Sequence, residues 1–258
     1  MYKIHEIKGH IQSIYIFEYK DKILLADCAT KADMLKIEHY IVNKIGRKMG
    51  DIKLAMVSHM HPDHAGLASA FQKKYNIPIV SHPNVNDWYR GSFGKLQHFI
   101  DVLLAWYVSI KMKNPPKLMW YPSKLKPNYV LEDGAPLPYF NDWQIIYTPG
   151  HTSHDISLYH KQSKTIYLGD VILKLKNKYL LPMPITLPGL MKKTLNKLSE
   201  IEIENLLLAH GGRVTIEQNK SFFYNLIEQV GEKKKGIFKF INLISLFSPC
   251  IRKLENID

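Results

Sequence analysis

Four short apolar runs in this chain each stop at a residue type that binds metals, and this limits the folds open to it more than any other feature. Leu54-Ala55-Met56-Val57 stops at Ser58-His59, and Ile145-Ile146-Tyr147 stops at Thr148-Pro149-Gly150-His151. Thr165-Ile166-Tyr167-Leu168 stops at Gly169-Asp170, and Leu206-Leu207-Leu208-Ala209 stops at His210-Gly211-Gly212. Runs of this length and composition, closed by Ser, Pro or Gly, read as buried strands. Strand ends that share one edge of a sheet converge in space, and the glycines at 150, 169, 211 and 212 let the backbone turn sharply and approach an ion. The pattern therefore predicts one site built from four distant parts of the chain.

The densest part is His59-Met60-His61-Pro62-Asp63-His64, with three imidazoles and a carboxylate in six residues. Alternation puts His59 and His61 on one side of an extended segment, while Asp63 and His64 turn away at the start of the next element. One metal can take the first pair and a second metal the other. Neutral imidazole and carboxylate without thiolate are the ligands of hydrolytic zinc sites, which keep positions open for water.

With these motifs in this order, the chain resembles the metallo-β-lactamase superfamily of hydrolases over residues 54 to 212. The resemblance rests on His59-x-His61-x-Asp63-His64, Thr148-Pro149-Gly150-His151-Thr152, Gly169-Asp170 and His210-Gly211-Gly212. It implies an α/β (α+β) fold, an αββα sandwich of two mixed β-sheets flanked by helices, with metals in a cleft at one edge. It also implies that His59, His61 and His151 hold one metal and Asp63, His64 and His210 the other, bridged by Asp170. His61, where the flavodiiron branch usually has an acidic residue, favours a zinc hydrolase over an iron redox enzyme, so two divalent ions are implied, zinc first with iron or manganese as alternatives, and a persulfide dioxygenase branch keeps similar residues around a single iron. Asp170 and Asp63 are the implied catalytic carboxylates, the second also a candidate to take the proton of the attacking water. His154 and Asp155, just past His151, and His82, at the end of a further strand, are candidates to orient the ligands from behind.

The implied reaction is attack by a bridging hydroxide on a small-molecule ester, lactone or thioester. A phosphodiesterase or nuclease acting on RNA or another phosphodiester is the alternative, because the superfamily contains nucleases and the net charge is +12 with pI ≈ 9.4. Charge alone reports solubility and non-specific attraction as readily as function, and no nucleic-acid module is visible. A mononuclear iron dioxygenase and a non-catalytic binding protein are more distant readings.

A chain of 258 residues, 46% hydrophobic, can bury one large core, and since all motifs feed one site the expectation is a single domain over 1–258. The start Met1-Tyr2-Lys3-Ile4-His5-Glu6 lacks the zones of a signal peptide, no run reaches about 18 uncharged apolar residues, and the two cysteines make no disulfide framework. Cys28 ends an apolar run and reads as a buried thiol, so a cytoplasmic location is expected. Ile11 to Tyr19 and Lys22 to Ala26 read as a hairpin, Ala32 to Lys44 as a helix, Leu67 to Tyr75 as a helix and Ile77 to His82 as a strand. His5, His10, His39, His98 and His160 read as structural or surface residues.

Residues 83–128 form a helical, Lys/aromatic-rich insertion. Phe99 to Ile110 is apolar almost all round yet too short to span a bilayer. It is followed by Lys111, Lys113, Lys117, Lys124 and Lys126 among aromatics and prolines. Two roles are open to it. It can line the substrate cleft with an apolar wall and a cationic rim suited to an anionic or amphipathic small molecule, or it can cover the core and form a homodimer surface. The basic amphipathic segment at 233–258 reads as a terminal helix packed on the domain, with peripheral contact to an anionic membrane as the alternative.

Overall fold

The computed structural model describes residues 1–182 and 185–231. The basic segment expected at 233–258, with Cys250, lies outside the described residues. One six-stranded sheet runs in chain order: β1 (Lys3–Lys8), β2 (Ser13–Glu18), β3 (Ile23–Leu25), β4 (Ile52–Met56), β5 (Ile79–Ser81) and β6 (Tyr129–Val130). Its first three strands pair antiparallel and β3 to β6 run parallel. The other sheet is built from β7 (Pro136–Leu137), β8 (Phe140–Tyr147), β9 (Ile156–His160), β10 (Thr165–Tyr167), β13 (Asn205–Leu208) and β14 (Gly212–Thr215), in that spatial order. A separate hairpin pairs β11 (Leu173–Leu175) with β12 (Lys178–Leu180).

Period-two alternation sorts the strand side chains between layers. Tyr15, Phe17, Leu24, Leu54 and Met56 point from the first sheet toward Phe140, Trp143, Leu158, Tyr167 and Leu207 of the second, forming a shared core. The intervening residues Ile14, Ile16, Ile23, Leu25 and Ala55 face outward to α1 (Met34–His39), α2 (Pro62–Ala65) and α3 (Ala68–Tyr75). On the other side Ile166, Leu206 and Leu208 pack against α5 (Pro188–Ser199) and α6 (Asn219–Ile227) through Met191, Leu195 and Phe223. The result is the helix–sheet–sheet–helix sandwich expected, with two mixed sheets.

The four ligand-bearing strands do not share one sheet. β4 belongs to the first, whereas β8, β10 and β13 belong to the second, where two antiparallel steps and one parallel pairing point all three the same way. Face-to-face packing sets the two ligand-bearing edges side by side, so the strand ends still converge. The expected helix over Ala32 to Lys44 is broken into a 3-10 turn, α1 and a wider π-type turn over Tyr40–Ile45 that stops at left-handed Gly46. β1, which had no assigned element, pairs along β2 in full register. Cys28 is buried, as expected, and its thiol donates to the carbonyl of Met56.

The insertion is dominated by α4 (Gly91–Lys111). Its inner face is fastened to the body: His10 Nε2 lies 2.8 Å from Ser109 Oγ, and Ala105 packs with Ile11 and Met119. Its outer face leaves Phe99, Leu103, Trp106 and Ile110 exposed. Among the described residues no helix is long and apolar enough to cross a membrane.

Candidate metal centre

Each strand delivers its ligand just past its last paired residue, and the side chains gather into two clusters that share one carboxylate. His59, His61, His151 and Asp170 form the first, and Asp63, His64, Asp170 and His210 the second, with the ligand atoms of each within 4.8 Å of one another. In the first, His59 Nε2 and His151 Nε2 each lie 3.0 Å from His61 Nδ1. In the second, His64 Nε2 and His210 Nε2 stand 3.1 and 3.3 Å from Asp170 Oδ1, and His210 Nε2 stands 3.2 Å from Asp63 Oδ2. The other oxygen of Asp170 faces the first cluster, 3.7 Å from His151 Nε2 and 4.0 Å from His59 Nε2. All seven residues expected from the sequence are thus brought together.

Local geometry follows from the sequence. Pro62 opens α2 with a residue that has no N–H to leave unpaired, so His61 remains extended and Asp63 and His64 fall in the first helical turn. Gly150 adopts φ +150°, and a Cβ there would meet the Met191 Cα at 2.7 Å, so only glycine lets the His151 loop lie against α5.

Electrostatics divides the clusters. Burial and the neighbouring imidazoles hold His59 well below its ordinary pKa, and burial with His151 lowers His61 to about 3, so both offer free lone pairs. In the second cluster burial also disfavours charge on His64, yet Asp170, Asp63 and Asp27 together raise it well above its ordinary value. His210 rises to about 10 against its own burial, chiefly through Asp170. Burial opposes the charge of Asp170, but His210 and His64 hold it well below the usual carboxylate range. Among the described residues the two buried carboxylates here are balanced by protons on His64 and His210, which a divalent cation can replace. His64 Nε2 and Asp170 Oδ1 are buried without a well-formed hydrogen bond. Orphaned donor atoms, an imidazole and carboxylate set and the absence of thiolate all fit two divalent metal ions.

Behind the ligands stand residues the sequence located only in part. Asp155 accepts hydrogen bonds from the Thr152 N–H and hydroxyl and lies 3.8 Å from His59 Nδ1, with burial raising its pKa to about 6. His154 reaches the ligand-bearing loop through that loop's backbone. Its Nε2 accepts from the Met60 N–H at 2.9 Å, fixing the backbone between His59 and His61. His82 accepts from the Asn84 N–H and stacks on Tyr147 at 4.4 Å, so it supports the loop rather than a ligand.

Two carboxylates went unassigned in the sequence. Asp27 accepts from the Ser58 N–H and hydroxyl at 2.7 Å each and from Tyr167 at 2.5 Å, and lies 2.7 Å from His64 Nδ1. The signal was present, since Ile23-Leu24-Leu25-Ala26 is another apolar run that stops at an acid. Asp101 comes from α4 and places Oδ2 3.5 Å from His61 Nε2, held at 2.8 Å by the Tyr89 hydroxyl. Tyr89 and Tyr121 also both reach the carbonyl of Met60 at 2.5 Å. No sequence pattern ties Asp101 to the hexad, because the contact depends on how the insertion folds back.

The clusters lie at the base of a cavity of about 820 Å³, walled by the β1–β2 turn, α4 and the β11–β12 hairpin. The insertion therefore lines the cleft, as one of its two expected roles required. The cationic rim is corrected: among the described residues the lining lysines are Lys8 and Lys174, whereas Lys111, Lys113, Lys117, Lys124 and Lys126 lie elsewhere. Lys113, Lys117, Lys124 and Lys126 follow Met112, the last cavity-lining residue of the insertion, and Lys111 sits beside it without lining the cavity.

The family model described as metallo-beta-lactamase superfamily matches residues 7–210. The chain is 22% identical over 254 residues to the probable metallo-hydrolase YflN of Bacillus subtilis (strain 168), covering 87% of this chain and 89% of that one. It superposes on the metallo-beta-lactamase family protein TTHA1429 of Thermus thermophilus with a TM-score of 0.66 at 17% identity, over 88% of this chain and 78% of that one. It superposes on TTHA1623, solved in a di-iron-bound form, with a TM-score of 0.57 at 18% identity, over 83% and 94% of the two chains. With that match spanning most of its length, and with two face-to-face sheets meeting at a doubled ligand cluster, this chain belongs to the metallo-beta-lactamase superfamily.

Proposed function

We propose that the chain is a hydrolase of a small-molecule ester, lactone or thioester that works with two divalent ions, zinc foremost. The observation that carries this reading is Asp170, whose two oxygens address two separate ligand clusters at the base of one cleft. Bound there, two such ions supply Lewis acidity toward a carbonyl oxygen and lower the pKa of water to about 7.

The chain's own residues do the rest. His59 and His61, kept neutral by burial, need no deprotonation before they bind. Asp170 fixes the spacing of the two clusters. Asp63, pulled below its ordinary pKa against its burial by His64 and His210, remains a carboxylate that can bind a metal and take a proton from the attacking water. The cavity walls favour an acyl substrate over a nucleic acid, because they are largely aliphatic. Imidazole at position 61 supports zinc, and iron is the competing outcome of metal analysis, in keeping with the di-iron form of TTHA1623. A free buried thiol at Cys28 supports a reducing, cytoplasmic setting.

The test measures initial rates of the zinc-loaded chain and of Asp170→Ala on a matched thioester, lactone, carboxylic ester and phosphodiester. Loss of the bridging carboxylate is expected to lower acyl hydrolysis at least about a thousandfold. Activity within tenfold of the parent would contradict the assignment, and turnover confined to the phosphodiester would replace it with a phosphodiesterase.

A further inference from the structure

We infer that the cavity above the metal centre is an acyl-chain channel, so that the substrate is an ester or thioester of a straight chain of about ten to thirteen carbons. This rests on the hydrolase reading and names its substrate class.

The walls carry the argument. Helix α4 presents Ile100, Leu104 and Val108 to the cavity at a spacing of four, and Met112, which caps the helix, continues the row. Leu173 of β11 and Leu181, just past β12, line the same cavity. Asp101 lines the same cavity on the same face and lies 3.5 Å from His61 Nε2, so one end of this wall is anchored at the metal centre. At about 1.5 Å per residue the wall from Asp101 to Met112 extends roughly 16 Å. An all-trans alkyl chain, with bonds of about 1.5 Å, advances roughly 1.25 Å per methylene, so this length takes about thirteen carbons.

The polar lining includes the ligand clusters, the β1–β2 segment with Glu6, Lys8, Gln12 and Ser13, and the β11 residue Lys174, while α4 beyond Asp101 contributes none. Asp63, Asp170, His61, His151 and His210 collect at the base, where an ester or thioester carbonyl would sit. On the α4 wall beyond Asp101, Leu104, Ala105, Val108 and Met112 offer no hydrogen-bonding side chain. A polar tail would lose its hydration along that wall without replacement, whereas a hydrocarbon loses nothing. A cavity of about 820 Å³ exceeds what a short acyl group fills.

The experiment determines kcat/KM of the zinc-loaded chain for a series of straight-chain acyl esters from C2 to C16 with one leaving group. In parallel, straight-chain carboxylates of the same lengths displace a fluorescent fatty acid from the protein. Both measures are expected to rise about twofold to fourfold per methylene and to level off between about C10 and C13. Val108→Asp changes a side chain that is 39% exposed and lies about 10 Å along the wall from Asp101. It should leave the C4 ester within twofold and lower the C12 ester at least tenfold. Asp170-dependent turnover of short esters with no dependence on length would overturn the channel and keep the hydrolase. Length-dependent displacement without any ester turnover would keep the channel and remove the hydrolase reading. Equal loss at C4 and C12 in Val108→Asp, with flat displacement, would also overturn the channel.

Discussion

Asp27 and Asp101 occupy matching places behind the two clusters, and the chain reaches them by different routes. Asp27 ends a strand and accepts from three donors besides facing His64, so its geometry is fixed on every side. Asp101 comes from the insertion, accepts from the Tyr89 hydroxyl and faces the outer nitrogen of His61. Partners of this kind hold the ring of a metal-binding histidine in place, and their loss weakens metal affinity about 10- to 100-fold. Asp27→Asn should therefore empty the second cluster first, and Asp101→Asn the first. Metal content after dialysis, combined with the spectrum of cobalt-substituted protein, distinguishes the two clusters, and identical losses in both variants would refute the assignment. The seven ligands were legible in the sequence because His and Asp carry their chemistry wherever they fall. Asp27 was legible by the same strand-end rule but lay outside the motifs. Asp101 was not legible, because nothing local distinguishes it from any acid on a helix.

Elements show where local pattern and tertiary context part. The ligand-bearing strands were readable, since buried β-runs need continuous apolar residues and their ends need turn residues. The outward and inward faces of β2, β3 and β4 are both apolar, so the sequence could not assign them to layers; packing sends Phe17 to one core and Ile16 to another. The segment over Ala32 to Lys44 has helical spacing, yet it changes pitch at Tyr40 before Gly46 stops it. The loop from β8 to His151 is a tight joint, because Gly150 lies at φ +150° directly against the Met191 backbone. Gly150→Ala must move either the loop or α5, and should cost about 1–3 kcal/mol of stability. Urea unfolding of the metal-free protein measures this. An unchanged midpoint would mean that α5 yields freely, and then the loop is not what fixes His151.

For the whole molecule, the sandwich gathers like-charged carboxylates into a buried cleft and depends on cations to balance them. Folding alone settles Asp63 and Asp170 by leaving His64 and His210 protonated. Ions that bind only the folded chain add stability by mass action, about 4 kcal/mol at a thousandfold excess over Kd. Chelation should accordingly lower Tm by roughly 8–16 °C for a chain of this size, with recovery on adding zinc. Differential scanning calorimetry with and without chelator reads the shift, and an unchanged Tm would show that the clusters bind no stabilising ion. By itself the sequence determined the ligand types, their order and the strands that end at them, because hydrophobic periodicity and side-chain chemistry are local properties. It took the packed molecule to divide these strands between two sheets, to turn one oxygen of Asp170 to each cluster, and to fold α4 back so that Asp101 and an apolar wall lie over the ligand clusters. Those are relations between segments far apart in the chain, set by how apolar faces find one another during packing, and no local pattern encodes them.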